Sequence, residues 1–288
     1  MKLVLGAAQF GFDYGITNKN GRVPQDEIIR ILSEAKKNGI NIIDTAVNYG
    51  ASEKSIGDAT ISNDWRVITK LPEIPNECND IHYWVQNQVL ISLKKLKAKS
   101  LHGVLLHRPL QLLGPRGKEI FSAISELKRL GLVGKVGISV YGPEEIEHII
   151  ALYKFDIVQC PFNLLDQRIL KANLLYRLKD LDYEVYSRST FLQGVLLMTV
   201  NEQLTNFGKW TKTWNLLAEW QKIEKVTPLE TCLRFPSSFS EIDGVIVGVD
   251  NIVHLQEIIQ AYSEKSIEIP KLGKIDESLI NPTLWKTI

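Results

Sequence analysis

Ionisable and polar residues stand at the ends of short apolar runs along this 288-residue chain. Asp44 closes the run 40–44, Lys70 closes 67–70 and His107 closes 103–107. Gln9 follows 3–6, Ser139 falls in 136–140 and Gln159 in 157–161. Tyr186, Ser187 and Arg188 fall in 184–189, and the turn Gly248-Val249-Asp250 ends the run 245–248. A carboxylate, an ammonium and an imidazole brought to one place can move protons, and a lysine without its charge is a nucleophile able to form a Schiff base. Each residue also has a plainer reading. An Asp at a strand end caps the next helix, a Lys is solvated, and a His is a satisfied structural group. Convergence of several at one opening is what points to a functional site. That convergence depends on the elements that carry them.

The eight runs are apolar throughout rather than alternating, the pattern of parallel strands buried on both faces. Helical periodicity fills the gaps. The stretch 25–38 places Ile28, Ile29, Leu32 and Ala35 on one face, with Pro24 before it and Gly39 after it. The stretch 81–97 carries Val85, Val89, Leu93 and Leu96 at helical steps, and 118–130, 144–152 and 252–262 are further helices. Strand and helix alternate from end to end, which predicts either a closed barrel or an open doubly wound sheet. An open nucleotide-binding sheet would carry a glycine-rich turn after an early strand, and Ala7-Ala8-Gln9-Phe10-Gly11 is not one. The expectation is therefore an α/β fold, a (β/α)8 TIM barrel, with residues 1–288 as a single domain. In such a barrel function gathers at the C-terminal ends of the strands. The long segments 190–210 and 210–225 follow the seventh strand and are expected at that mouth, with Trp210, Trp214 and Trp220 as candidate pocket or lid walls, core packing being the expected role of at least one, and Trp65 at the opposite end.

The segment Asp44-Thr45-Ala46-Val47-Asn48-Tyr49-Gly50-Ala51-Ser52-Glu53 resembles the D-T-A-x-x-Y-G-x-S-E motif of the aldo-keto reductase family. Thr69-Lys70, Leu105-Leu106-His107-Arg108, Gly137-Ile138-Ser139 and Val158-Gln159-Cys160-Pro161-Phe162-Asn163 are similar to that family's later motifs, each at its strand end. The resemblance runs from Leu3 to about Glu257. It implies a carbonyl reductase with a catalytic set of Asp44, Tyr49, Lys70 and His107. Tyr49 would donate a proton to the carbonyl oxygen as hydride reaches its carbon, Lys70 would lower the phenol's pKa, Asp44 would hold Lys70, and His107 would orient the substrate. Asp44 and Tyr49 are five residues apart, one at a strand end and one in the following loop, so both can face one cavity.

The resemblance further implies a nicotinamide cofactor. Ser139 and Gln159 would bind its carboxamide, Tyr186 would stack on its ring, and Ser187, Leu192 and Gly194 would cradle the pyrophosphate. Asn163 and Arg108 would meet substrate at the mouth. The family's Tyr-Ser-Pro-Leu run reads Tyr186-Ser187-Arg188-Ser189 here, so Arg188 is a candidate contact for a phosphate of cofactor or substrate. NADP(H) is the family's usual cofactor. The turn from Gly248 through Asp250 to Val253 has no Lys or Arg to hold a 2′-phosphate, and Asp250 would repel one, so NAD(H) is a serious second candidate. Against that, the helix that follows should offer free amides to a phosphate.

Composition sets the outer bounds. Apolar residues make up 44% and charged residues 23%, enough for a sizeable core, and 34 basic against 33 acidic side chains leave a formal charge of +1. That balance argues against a chain organised around nucleic acid or an anionic membrane. Cys78, Cys160 and Cys232 match no metal or redox spacing and read as free thiols. The first residues have neither the length nor the cleavage site of a secretory signal, so a cytoplasmic protein is expected, as a monomer or weak homo-oligomer acting on a small carbonyl compound. The run 3–6 begins almost at once, so an N-terminal hairpin under the barrel is not expected and side chains alone should close its floor. Three other readings compete: an aldolase using Lys70 as a Schiff base, a nucleotide-binding regulatory or redox-sensing protein with little turnover, and a scaffold. The first leaves Tyr49, His107 and Gln159 idle, and the last wastes the converging polar groups. Arg108 and Arg188 near the mouth point to a polar or anionic substrate.

Overall fold

In the computed structural model, which describes residues 2–59 and 65–287, each apolar run forms a strand. The chain runs β1 (Leu3–Gly6), α1 (Gln25–Lys37), β2 (Ile42–Asp44), α2 (Ser52–Ala59), β3 (Arg66–Leu71), α3 (Ile81–Leu96), β4 (Leu101–Leu106), α4 (Gly117–Arg129), β5 (Val133–Ser139) and α5 (Pro143–Ile150). It continues through β6 (Ile157–Pro161), α6 (Arg168–Lys171), α7 (Leu174–Asp180), β7 (Glu184–Arg188), α8 (Val200–Asn206), α9 (Thr211–Glu224), α10 (Pro228–Ser237), β8 (Gly244–Gly248), α11 (Ile252–Ala261) and α12 (Glu277–Ile280). The strands pair in parallel in sequence order and β8 closes on β1, with Gly6 opposite Gly248. The fold is the (β/α)8 barrel that the buried runs predict.

Side chains alternate between the two faces of a strand, and inside a barrel they stack in layers. One layer is apolar: Val4, Ile42, Ile68, Leu105, Ile157, Tyr186 and Ile246 form a cluster separate from the main core. Two residues further along the same strands comes the next storey, toward the C-terminal mouth: Gly6, Asp44, Lys70, His107, Gln159, Arg188 and Gly248. On β5 the same step leads from Gly137 to Ser139. The polar strand-end residues are thus one storey of the barrel, laid over an apolar plug. Beneath the plug, at the strand starts, Glu184 accepts from Lys135 and from the Tyr186 hydroxyl, the latter at 3.2 Å. His102 Nε2 lies 3.7 Å from Glu184 and 2.8 Å from Arg66. These side chains floor the barrel.

The helices pack outside. On α3, Val85, Val89, Leu93 and Leu96 are buried as their spacing predicts. On α1 the buried set is Ile28, Ile31, Leu32 and Ala35, while Ile29 is 46% exposed, so the apolar stripe is turned by about half a residue step from the predicted one. Trp210 and Trp214 are core residues rather than lid walls. Trp214 is fully buried and its indole donates to the Phe207 carbonyl at 2.9 Å, and Trp210 packs in the same core. Trp65 lies against the core with the Lys36 ammonium 5.8 Å from its ring. What reaches the mouth from this region is the segment 191–197, through Gln193 and Gly194, and the start of α10, where Thr227 and Glu230 form a capping box around Pro228.

Candidate active site

The mouth storey opens into a cavity of about 630 Å³, a size suited to a small molecule or part of a cofactor. At its base Lys70, 1% exposed, directs Nζ to Asp44 Oδ1 (2.8 Å), Asp44 Oδ2 (2.6 Å) and the Thr45 carbonyl (2.9 Å). Three acceptors match an ammonium's three protons. Burial pulls the Lys70 pKa down and the Asp44 carboxylate opposes that pull. Gln159 Nε2 donates to Asp44 Oδ1 at 2.7 Å, and Ser139 Oγ donates to Gln159 Oε1 at 3.1 Å, so one buried chain runs Ser139–Gln159–Asp44–Lys70.

Tyr49 lies above this chain in the loop between β2 and α2. Its ring faces Lys70 Nζ at 5.1 Å and meets the His107 ring edge-on at 5.9 Å. Two glycines let its loop close on the loop after β1. A Cβ on Gly11 would stand 1.6 Å from the Tyr49 carbonyl oxygen, and Gly50 takes φ +54° with its would-be Cβ 2.7 Å from the Gly11 oxygen. Burial pushes the Tyr49 phenol up from its ordinary value and Asp44 adds to the rise; Arg188 is the neighbour that lowers it. The sequence assigns that lowering to Lys70, but Asp44 already balances the Lys70 charge. His107 is driven the other way, to about 3, by burial and by the cations Lys70, Arg188 and Arg108. Its imidazole is neutral.

Of the residues proposed for cofactor and substrate, Ser139, Gln159, Arg188, Gly194, Gly248 and Asp250 line the same cavity as Asp44, Tyr49 and His107. Five others do not line it. Tyr186 belongs to the apolar plug one storey below, its ring over Gly244, where a Cβ would come within 2.6 Å of it. Arg188, two residues on, takes the mouth position on β7. Ser187, between them, therefore faces out of the barrel and donates to the Gly244 carbonyl at 3.4 Å. Leu192 is fully buried in the main core. Asn163 is fully buried too: its oxygen accepts from the Leu165 and Asp166 amides and its nitrogen donates to the Ser189 carbonyl, so it braces the loop after β7. Arg108 is exposed at the rim, its guanidinium 5.2 Å from the Tyr141 ring.

The far end of the cavity is acidic. Asp250, His254 and Glu257 line it, and Asp250 Oδ2 sits 3.6 Å from His254 Nδ1. Asp250 Oδ1 is buried with no well-formed hydrogen bond among the described residues, and burial raises the pKa of that carboxyl against the opposing pull of His254 and the Gln9 amide. Two of the amides expected free at the start of α11 are taken. Glu27 Oε1, from α1, accepts from the Ile252 N–H at 2.6 Å, and Asn251 Oδ1 accepts from the His254 N–H at 2.9 Å.

A sequence model of the aldo/keto reductase family matches residues 2–280. The chain belongs to that family. This aldo/keto reductase is 24% identical over 249 residues to the NADH-specific methylglyoxal reductase of Escherichia coli (strain K12), covering 75% of this chain and 73% of that protein. Two solved structures share its fold. An aldo-keto reductase from Bacillus halodurans has a TM-score of 0.72 at 18% identity over 93% of this chain and 88% of its own. The glycerol dehydrogenase of Gluconobacter oxydans has a TM-score of 0.69 at 19% identity, again over 93% and 88%. Family membership makes the protein an NAD(P)-dependent oxidoreductase acting on carbonyl compounds. Among the described residues no helix is long and apolar enough to cross a membrane.

Three residues of this aldo/keto reductase escaped the sequence reading. Tyr14, in the loop after β1, lines the cavity and touches Tyr49 through Phe12, with ring separations of 5.6 Å and 5.9 Å. Tyr141 lines the mouth beside both arginines. Tyr141 was legible, since it is one more two-residue step from Ser139. Glu27 was not, because nothing in α1 announces a contact 225 residues away in the chain.

Proposed function

We propose that this aldo/keto reductase reduces a small carbonyl compound with NADH, with Tyr49 as the proton donor. The observation that carries the reading is the shared cavity of Tyr49 and His107 above the Lys70–Asp44 pair. The residues present fit a nicotinamide dinucleotide. Ser139 and Gln159 offer an adjacent hydroxyl and amide for a carboxamide, and the unpartnered Asp250 oxygen suits a ribose hydroxyl. The reduced nicotinamide, when bound, supplies hydride to the carbonyl carbon.

The chain's own residues manage the proton. Because burial raises the phenol pKa, Tyr49 stays protonated near neutrality and yields its proton only as the substrate oxygen becomes an alkoxide, a far stronger base than a phenolate. The C=O π pair moves to oxygen, the Tyr49 O–H breaks, a new O–H forms on the product, and solvent later reprotonates the tyrosinate. Arg188 stabilises that transient anion by charge, and Lys70, held by Asp44, fixes the floor on which the phenol rests. Neutral His107 donates a hydrogen bond to the same oxygen and fixes the substrate's orientation.

Tyr49→Phe tests the assignment. NADH oxidation with methylglyoxal should fall by about 100-fold or more, the scale of a lost general acid, with cofactor binding and circular dichroism retained. Undiminished turnover in that variant would remove Tyr49 from the chemistry.

A further inference from the structure

Arg188, at the end of β7, and Arg108, in the loop after β4, come to one aromatic ring, with guanidinium carbons 4.8 Å and 5.2 Å from the centroid of Tyr141. Neither has a carboxylate at ion-pair distance among the described residues. Arg188 Nη2 donates to the Val140 carbonyl at 2.7 Å and Nη1 to Ser189 Oγ at 3.2 Å, both uncharged acceptors that orient the fork without neutralising it. The acids nearby are engaged elsewhere. Asp44 holds Lys70, Asp166 holds Arg168, and Glu145 Oε2 accepts from the Tyr141 N–H at 3.1 Å. An unpaired, half-buried guanidinium is unfavourable, and planar guanidinium forks match oxyanions. Arg188 lines the cavity, Arg108 directly follows His107, and the charge of each reaches His107.

We infer that Arg188 and Arg108, gathered on Tyr141, form a subsite for an oxyanion carried by the carbonyl substrate, a carboxylate or a phosphate ester. The inference rests on the reductase reading above. It narrows the substrate class to oxo-acids and phosphorylated aldehydes, whose anionic end lies on the rim while the carbonyl lies between Tyr49 and His107. Tyr141 is the platform that holds both cations in place.

Two substrate pairs test it: succinic semialdehyde against butanal, and glyceraldehyde 3-phosphate against glyceraldehyde. In the unmodified protein kcat/KM should favour the charged member of at least one pair, and which pair responds tells carboxylate from phosphate. Arg188→Met and Arg108→Gln should each collapse that charged-to-neutral ratio by about tenfold or more, the scale of a lost charged hydrogen bond, and Arg188→Lys should restore part of it. Arg108 is exposed, so its variant keeps the test open should Arg188→Met fail to fold. Calorimetry gives a reading without turnover: succinate or inorganic phosphate should bind the unmodified protein and lose about tenfold in affinity in either variant. A ratio that neither substitution changes would overturn the subsite. So would variants that weaken NADH binding instead, which would assign the arginines to the cofactor. If no carbonyl is reduced but succinate or phosphate binding still depends on the arginines, the reductase reading fails and the subsite stands.

Discussion

The Lys70 ammonium meets three acceptors within 2.9 Å in a place water scarcely reaches, so its contribution is electrostatic and its removal is costly. Lys70→Met would leave the Asp44 carboxylate buried with Gln159 as its remaining donor, and should lower unfolding stability by about 3–5 kcal/mol in urea titrations as well as cutting turnover. His107 gives a pH signature of the opposite kind. Its pKa is held near 3 in the folded chain against an ordinary 6.5, so the folded state refuses a proton that the unfolded state accepts. The stability associated with neutral His107 is complete above about pH 6.5 and is lost as pH falls from there toward 3. At pH 4.5 the loss should reach about 2–3 kcal/mol, and His107→Gln should show a correspondingly smaller difference between pH 7 and pH 4.5 in denaturant midpoints. The same shift predicts a flat kcat/KM for reduction through neutrality. A break near pH 6.5 would mean that His107 titrates in the working site.

At the scale of elements, Tyr49 is placed by backbone packing rather than by a strand of its own. The loop after β1 presses Gly11 onto the carbonyl of Tyr49, and Gly50 turns left-handed to admit it. Gly11→Ala would drive a methyl group into that carbonyl and push the phenol out of the storey shared with His107. The expected result is a loss of turnover of about 100-fold with stability lowered by about 1–3 kcal/mol, and unaltered turnover would show that the loop has another way to close. The legibility of the site follows the same division. Asp44, Lys70, His107, Ser139 and Gln159 were readable because each closes or lies near the end of an apolar run and the two-residue alternation of a strand fixes its face. That rule also assigns β7: with Tyr186 in the plug, Arg188 must face the mouth and Ser187 the helices. Matching the Tyr-Ser pair to a motif overrode the rule and put an aromatic ring where the barrel has a guanidinium. Asn163 misled in another way, because an amide in a loop serves its own backbone as readily as a ligand, and only its partners decide. The contact of Glu27 with α11 and the meeting of two arginines on Tyr141 are products of closure, which no local pattern encodes.

Over the whole molecule, one cavity spans walls of opposite charge. The inner end gathers Lys70 and Arg188, with Arg108 on the rim beside them; another part of the wall gathers Asp250 and Glu257, with Glu27 behind them. A dinucleotide bound with its nicotinamide beside Ser139 and Gln159 would bring its adenosine toward Asp250 and Glu257. There a 2′-phosphate would meet the Asp250 carboxylate, and the amide of Ile252, which could otherwise receive it, is held by Glu27. Arg30 lies 2.8 Å from the other Glu27 oxygen and damps that charge without opening the amide. A ribose hydroxyl, by contrast, could donate to the unpartnered Asp250 Oδ1. NADH should therefore bind more tightly than NADPH, by about tenfold or more if one charged contact decides the difference. Binding of AMP and 2′-phospho-AMP, followed by calorimetry, isolates this end of the cavity from the chemistry, and AMP should bind the more tightly. Asp250→Lys should narrow or reverse the order, and adding Glu27→Gln should move it further by releasing the Ile252 amide. Tighter binding of 2′-phospho-AMP by the unmodified protein would mean that a basic side chain outside this end reaches the phosphate.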